Sequence, residues 1–360
     1  MASSPMTTAL RRRGLCCATL VFVLAGMQLT AVVSEERSAV PAAAGEAHRF
    51  LRTVGAFSSS EIDRLERGEA VAKVLDTDKR EVAIVGAVRV KAARDRLFAR
   101  YRDVSSLRGS GMVLQVGTFS PSPRAEDLRD LAFEEYDLET IRDCEPGDCG
   151  VRLSAESMAR FKREVDWRAA DWQQQAGSLW RRLLAEYAAG YLSSGALGDY
   201  RNKATPLNVA GEFGVLFRQS PYLETQAPGL FAYLQRFPRV KLTGAEDILY
   251  WSKDNFGLRP VTSVTHLTLN APPGSARASR PWWISTKQIY ATHYFDAALG
   301  LTIAFDDDAS GFYLVCVNRA RTRSLTSFSR TLVRSIVQRR SRDGLEHMLR
   351  STKLALEGPR

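Results

Sequence analysis

The amino-acid sequence predicts an α+β protein: an antiparallel sheet, a helical insertion and a long C-terminal helix. Three observations carry that prediction. Residues 248–319 read as consecutive strands, and Leu299, Leu301, Ile303 and Phe305 alternate with Gly300, Thr302, Ala304 and Asp306, the signature of a strand with one buried face. Residues 154–238 carry helical spacing instead, clearest in 171–192, where Trp172, Ala176, Leu179, Trp180, Leu183, Tyr187 and Tyr191 share a face before Gly195 stops the helix. Near the end, Leu325, Phe328, Leu332, Val333 and Ile336 form one apolar stripe. After Asp343-Gly344, Leu345, Met348, Leu349, Thr352 and Leu356 form a second, with arginines opposite, as one long amphipathic helix or two in succession.

Taken in order, the chain begins with Arg11, Arg12 and Arg13 before an uncharged apolar run at 14–33, the pattern of an export signal cleaved after Ser34 or Ala44. The rival reading is an uncleaved N-terminal anchor, since roughly 20 apolar residues span a bilayer. Cys16 and Cys17 start the run instead of following it, which argues against a lipoprotein. Residues 35–56 show no clear periodicity and read as a flexible linker, so one domain is expected over 57–357.

That domain opens with Ser58 and Glu61 as a capping box for a helix through Arg67, ended by Gly68. Strands follow at 70–75 and 81–90 around the turn residues Asp76, Thr77 and Asp78. A helix at 94–102 places Leu97, Phe98 and Tyr101 together, and 111–119 returns to a strand. Within the insertion, Pro206, Pro221 and Pro238 punctuate helices at 207–218 and 222–236. Strands are then expected at 247–251, 262–269, 283–295, 299–305 and 312–320. Asp306, Asp307, Asp308 and Gly311 read as a solvated hairpin loop, since the spacing and terminal glutamate of a calcium loop are missing.

Composition is that of a globular protein, 45% hydrophobic and 25% charged, but the net charge of +10 is unevenly placed. Residues 319–360 hold eleven bases against three acids, whereas 126–148 hold ten carboxylates against Arg129 and Arg142. Two solvated faces, facing each other or not, are the plain reading. A basic helix meeting an anionic membrane surface is the functional one. Export disfavours nucleic acid as a partner despite the basic balance.

Chemistry is expected at few positions. Cys144-Glu-Pro-Gly-Asp-Cys149 sets two thiols across a Pro-Gly turn, a local disulfide in an oxidising compartment or, less well, half a zinc site; Cys316 sits in an apolar run as a small hydrophobe. His266 and His293 lie in strand-like runs, and adjacent strands bring them together only in one register. With Asp296 they offer a metal site, or His293 and Asp296 an acid–base pair assisted by His266 or Lys287; otherwise they are hydrogen-bonded within the sheet or anchor a polar ligand. Trp251, Lys253, Lys287, Tyr290 and Tyr294 complete the candidate ligand-binding set, and Trp282 and Trp283 follow Pro281 as either cavity wall or edge cover. No serine elbow, phosphate loop or paired zinc motif occurs, and no cofactor is indicated.

The run Ala83-Ile-Val-Gly-Ala-Val-Arg-Val90 leading into the helix at 95–103, the strands of 262–320 and the helix after Leu325 resemble the helix-grip domains of the START and SRPBCC superfamily. The runs Tyr250-Trp-Ser-Lys-Asp-Asn-Phe256 and Ser285-Thr-Lys-Gln-Ile-Tyr-Ala-Thr-His-Tyr-Phe-Asp296 also look like uncharacterised exported bacterial proteins. The first resemblance covers about two-thirds of the chain, and the helical block at 154–238 departs from a minimal helix-grip domain. It implies a curved sheet, a cavity between sheet and C-terminal helix, and an apolar or amphiphilic, lipid-like ligand. The expected function is therefore an exported binding protein, with a small-molecule enzyme or an envelope interaction module without ligand as alternatives.

Overall fold

The computed structural model describes residues 42–110, 112–272, 280–307, 311–325 and 331–358. The expected export signal, Ser34, Asp308 and Phe328 lie outside the described residues. No helix among the described residues is long and apolar enough to cross a membrane.

The described residues start with α1 (Ala42–Val54) and α2 (Ser59–Glu66), then β1 (Val71–Leu75), β2 (Glu81–Val90), α3 (Arg94–Arg102) and β3 (Val113–Thr118). The helical block holds α4 (Glu135–Arg142), α5 (Ala155–Glu164), α6 (Trp172–Ser194), the small hairpin β4 (Asp199–Tyr200) and β5 (Leu207–Asn208), α7 (Val209–Arg218), α8 (Pro221–Gln226) and α9 (Pro228–Arg236). The meander β6 (Ala245–Asp254), β7 (Val261–Asn270), β8 (Trp282–Ala291), β9 (Ala297–Asp307) and β10 (Gly311–Arg321) leads to α10 (Thr331–Glu357).

Eight strands form one antiparallel sheet in the order β1-β2-β10-β9-β8-β7-β6-β3. β10, the last strand, returns beside β2, with Phe312 opposite Val90 and Arg321 opposite Glu81. Side chains alternate between two covered faces. One face carries Val85, Ala87, Trp251, Val264, Leu301, Ile303 and Val315 into a core shared with α1 and the helical block. The other carries Val88, Leu267, Leu269, Ile284, Leu314 and Cys316 into a core with α3 and α10. All ten residues of β7 are buried.

α10 runs along β2 because Gly86 leaves room for it: a Cβ there would lie 2.8 Å from Leu349 and 3.0 Å from Leu345. Its far end is tied down by Lys353, whose Nζ donates to the Arg89 carbonyl at 2.7 Å, and by Glu357, which accepts from the Lys91 N–H at 2.7 Å. The expected capping box forms, with Ser58 accepting from the Glu61 N–H and Glu61 accepting from the Ser58 N–H at 2.8 Å. Gly195 takes a left-handed φ of 74° to end α6. Cys144 and Cys149 are joined as a disulfide. Its loop docks on the α6–β5 connection, where the Cys149 N–H donates to the Asn202 carbonyl at 3.0 Å.

Several expectations need correction. The linker expected over 35–56 contains α1, whose Ala47, Phe50 and Leu51 fall at helical spacing and are fully buried. The strand expected over 283–295 ends at Ala291, so His293 and Tyr294 lie in the following bend. The helix expected over 222–236 is interrupted at Ala227, because Pro228 has no N–H to continue it and begins a new helix. Asp306 and Asp307 belong to β9 and not to a solvated loop: Arg94 pairs with Asp306 at 3.3 Å and Arg89 with Asp307 at 2.7 Å. Leu325 lies in a short 3-10 turn ahead of α10.

If α1 is core and not tether, Phe50→Ala leaves a void between Phe305 and Tyr222, its ring neighbours. The expected loss is about 3–5 kcal/mol in denaturant unfolding, where a tether residue would cost almost nothing.

Candidate binding site

The strand register separates the polar residues of the meander into two groups on opposite faces. The residues singled out from the sequence fall almost entirely on the face toward the helical block. The His266 ring accepts from the Tyr191 hydroxyl at Nδ1, 2.8 Å away, and donates from Nε2 to Asp247 Oδ1 at 2.8 Å, taking the neutral tautomer that satisfies both. Thr268 donates to the same oxygen at 2.8 Å, and Tyr233 donates to Asp247 Oδ2 at 2.5 Å. Burial holds the His266 pKa below its usual value against the opposing pull of Asp247. Burial works to raise Asp247, but His266 and the hydroxyls bring it below the ordinary carboxylate value. Every polar atom in this chain of contacts has a partner, and packed rings of Tyr191 and Phe237 flank it.

Lys287 stands beside His266 in the register. Its Nζ donates to the Leu234 carbonyl at 3.1 Å and lies 4.9 Å and 5.5 Å from the ring centres of Phe213 and Tyr191. Burial brings its pKa down to about 8. Trp251 donates from Nε1 to the Asp127 carbonyl at 2.9 Å and fills the space over Gly117, where a Cβ would come within 2.6 Å of its ring. Lys253 donates to the Ala132 carbonyl at 2.8 Å and pairs with Glu134. Tyr290 donates to the Arg152 carbonyl at 3.0 Å. These side chains clamp the acidic segment and the helical block to the sheet.

The expected convergence of His266, His293 and Asp296 does not occur. His293 pairs through Nε2 with Asp137 at 2.9 Å, and Tyr294, half-buried at a φ of 57°, sets its ring beside it. Asp296 is instead shared by three guanidinium groups, Arg152 at 3.1 Å and Arg80 and Arg323 at 3.4 Å each. Strong arginine partners leave Asp296 no role in orienting His293, and this removes the acid–base pair. Among the described residues no group of three or more His, Cys, Asp or Glu side chains converges as a metal site. Burial pushes the Cys316 thiol up to about 11, so it behaves as a core residue.

The opposite face, under α10, holds the group the sequence reading missed. Toward β2's far end its cross-strand rows are apolar: Ile284, Thr302 and Cys316, then Trp282, Ala304, Leu314 and Val88. Two rows nearer β2's start mix apolar residues with small and polar ones: Ile248, Leu267, Thr286, Gly300, Asn318 and Ile84, then Tyr250, Thr265, Gln288, Ala298, Ala320 and Val82. Thr286, Gln288, Ala298, Gly300, Asn318 and Ala320 are all only half-buried, as are Arg334, Val337 and Gln338 of α10's early turns. Gln288 Oε1 is itself enclosed without a donor. Nearby, Asp254 is buried at 8% exposure and accepts from Ser252 at 2.7 Å and Ser263 at 3.4 Å. No cation pairs with it among the described residues, and burial raises its pKa to about 6. At the other end of this face an open cleft of about 390 Å³ lies between α3 and the end of α10, lined by Asp95, Arg96, Ala99, Arg100, Ala355 and Leu356.

The signal for this second group was strand parity. The sequence reading weighed aromatic, basic and histidine side chains, which are the ones a packed interface needs. A β-bulge between Val264 and Thr265 also places both Ile289 and Tyr290 on the helical-block side, which strict alternation excludes.

No protein-family model and no curated protein matches this chain. Among solved structures it is similar to Ara h 8.0201, at 10% identity over 40% of this chain and 91% of that one, with a TM-score of 0.17. At that TM-score the likeness does not establish a shared fold. The class that the coordinates define is α+β, a large antiparallel sheet with a C-terminal helix.

Two outcomes follow from the electrostatics. The folded protein keeps the Asp254 proton to about pH 6, whereas an unfolded aspartate releases it near 3.8, so this group's contribution is full below 3.8 and is lost as pH rises through 6. Asp254→Asn is expected to match the parent at pH 3 and to exceed it by about 2–3 kcal/mol at pH 8 in urea unfolding. Lys287→Met is expected to stabilise at pH 7 by about 1–3 kcal/mol, because the buried amine takes up its proton less readily than the unfolded chain does. A loss of stability in that variant would show that the ring and carbonyl contacts outweigh burial.

Proposed function

We propose that this protein is a helix-grip binding protein that holds an amphiphilic small molecule between the sheet and α10, and that it carries its ligand without transforming it. The observation that carries the reading is the change at the α10-facing positions of β8, β9 and β10 from buried, mostly apolar side chains to small or polar, half-buried ones. Thr286 and Asn318 close over Gly300, but Ala298 and Ala320 pair where a closed core would carry larger side chains, Gln288 holds an enclosed acceptor, and Asp254 is a buried carboxyl that no cation neutralises among the described residues. A ligand with a hydroxyl or amine head and an apolar body satisfies both halves of the face. The strand order supports the helix-grip part of the reading: strand, helix and strand, then an inserted block, a meander whose last strand returns beside the first long one, and a terminal helix along it. The ligand-binding residues are then Thr286, Gln288, Ala298, Gly300, Asn318 and Asp254, in place of Trp251, Lys253, His266, Lys287, Tyr290, His293 and Tyr294.

Native mass spectrometry of gently purified protein, followed by solvent extraction, tests the reading. A bound amphiphile in the parent, lost in a folded Ala298→Phe variant that fills the groove, is the expected result. Protein that is empty and ignores added lipids and sterol-like amphiphiles overturns it.

The setting proposed for this carrier is the cell envelope, with α10 toward an anionic membrane. The disulfide fits an oxidising compartment. The basic residues of α10 are not neutralised by the acidic segment: Arg342, Arg350 and Lys353 pair within the helix, and Arg339 and Arg340 are exposed. Replacing Arg339 and Arg340 by glutamate is expected to lower co-sedimentation with phosphatidylglycerol vesicles by roughly tenfold at low salt and to leave neutral vesicles unaffected.

A further inference from the structure

Seven large apolar side chains are exposed among the described residues, and five of them gather at one end of the sheet: Met112 and Leu114 at the start of β3, Phe256 and Leu258 in the turn between β6 and β7, and Ile336 on α10. The Asn255 N–H donates to the Met112 carbonyl at 2.8 Å, which fixes the turn to β3. α10 reaches the turn through Arg340, whose Nη1 lies 3.1 Å from where a Cβ on Gly257 would stand, and Ile336 is one helical turn before Arg340 on the same side. Gly257 takes a left-handed φ of 77°, the bend on which the chain reverses between Phe256 and Leu258. Phe256 rests edge-on against Phe295 with ring centres 5.3 Å apart, while Leu258 is 58% exposed. Turns ordinarily carry Gly, Asn, Asp or Ser, and apolar residues gathered on a surface mark a place that meets something apolar.

The patch is bordered by cations. Arg259, Arg339 and Arg340 are exposed. The acids beside them in the chain are committed elsewhere, Asp343 to Arg342 and Asp254 to two serines, and none of the three arginines forms an ion pair among the described residues. Arg259 lies over the Tyr136 ring, and beyond it Glu135 and Glu139 of α4 are exposed, which limits the basic surface on that side.

We propose that the β6–β7 turn inserts into an anionic bilayer, with Phe256 and Leu258 entering the apolar layer, Leu114 and Ile336 at the interface, and Arg259, Arg339 and Arg340 among the phosphate head groups. This rests on the reading of α10 as the membrane-facing helix and adds to it an apolar element that penetrates. An apolar apex bordered by cations suits such a surface, where buried apolar area and attraction to anionic lipid add. Charge also selects the bilayer over a second copy of the chain. A symmetric contact through the same patch would set the three arginines of one copy against those of the other.

The test places a reporter at the tip. Leu258→Trp in the full chain is mixed with phosphatidylglycerol vesicles and with phosphatidylcholine vesicles, and its emission is read against that of the parent. Leu354→Trp, at a leucine 71% exposed near the far end of α10, serves as the comparison. Both positions are on the surface, where substitution leaves the core intact. The signal added by Leu258→Trp is expected to shift to the blue and to be quenched by doxyl-labelled lipid with phosphatidylglycerol only, and the signal added by Leu354→Trp to stay unchanged. Leu258→Ser is expected to bind phosphatidylglycerol vesicles roughly fivefold more weakly than the parent and to keep its salt dependence. Vesicle binding without a shift in Leu258→Trp, an equal shift in Leu354→Trp, or undiminished binding by Leu258→Ser overturns the inserting tip and leaves the charge reading of α10 standing. Protein that binds neither vesicle overturns both. A blue shift in Leu258→Trp that grows with protein concentration in the absence of lipid overturns the proposal in favour of contact between copies.

Discussion

Everything in this molecule answers to one constraint: the large sheet is covered on both faces. A strand in such a sheet has no solvent side on which to put polar residues, so each must find a partner in a layer above or below. On the helical-block side the requirement is met for the His266 ring and its direct partners, while the neighbouring Ser285 hydroxyl is enclosed without one. The His266 ring, Asp247, Tyr191, Tyr233 and Thr268 form a closed set of hydrogen bonds, and a closed set rigidifies without reacting. The same logic organises the near end of the sheet, where Arg319 and Arg321 meet Glu81, Glu212 and Asp78.

The α10 side differs in having a buried carboxyl without a cation among the described residues beside small, half-buried positions. Among the described residues Asp254 is buried against two serine hydroxyls and no cation, and Gln288 has an enclosed acceptor without a donor. Natural proteins satisfy buried polar groups unless something else does so for them. The apolar half of the same face, from Ile284 to Leu314, shows what this sheet does when it has only a core to build.

Much of this was legible in the sequence, for identifiable reasons. Period-two alternation gave the strands of the meander, the Ser58–Glu61 pair gave a capping box, and Gly195 gave the end of α6. The tether expected over 35–56 gives way to α1 because the helix is short and alanine-rich, and its only apolar signal is the triplet Ala47, Phe50 and Leu51. The candidate site depends on features less local than these. Histidine, lysine and tryptophan carry chemistry, but which face they occupy depends on register, on a β-bulge and on where β8 ends. Those are set by pairing across strands and not by any local run. Small and weakly polar residues, Thr286, Gln288, Ala298 and Gly300, are legible in the sequence at positions where a strand core expects valine or leucine.

The return of β10 beside β2 has a consequence for how the chain reaches this state. β2 gains its inner neighbour only after more than 200 further residues have been made, since Val90 pairs with Phe312. Until then it has β1 alone, and a two-stranded ribbon is at best marginally stable in water. The N-terminal third therefore has no independent life as a folded body. Contacts of such long sequence separation make closure slow, and the chain commits to its structure late, once its final strand is available to fasten the two ends together.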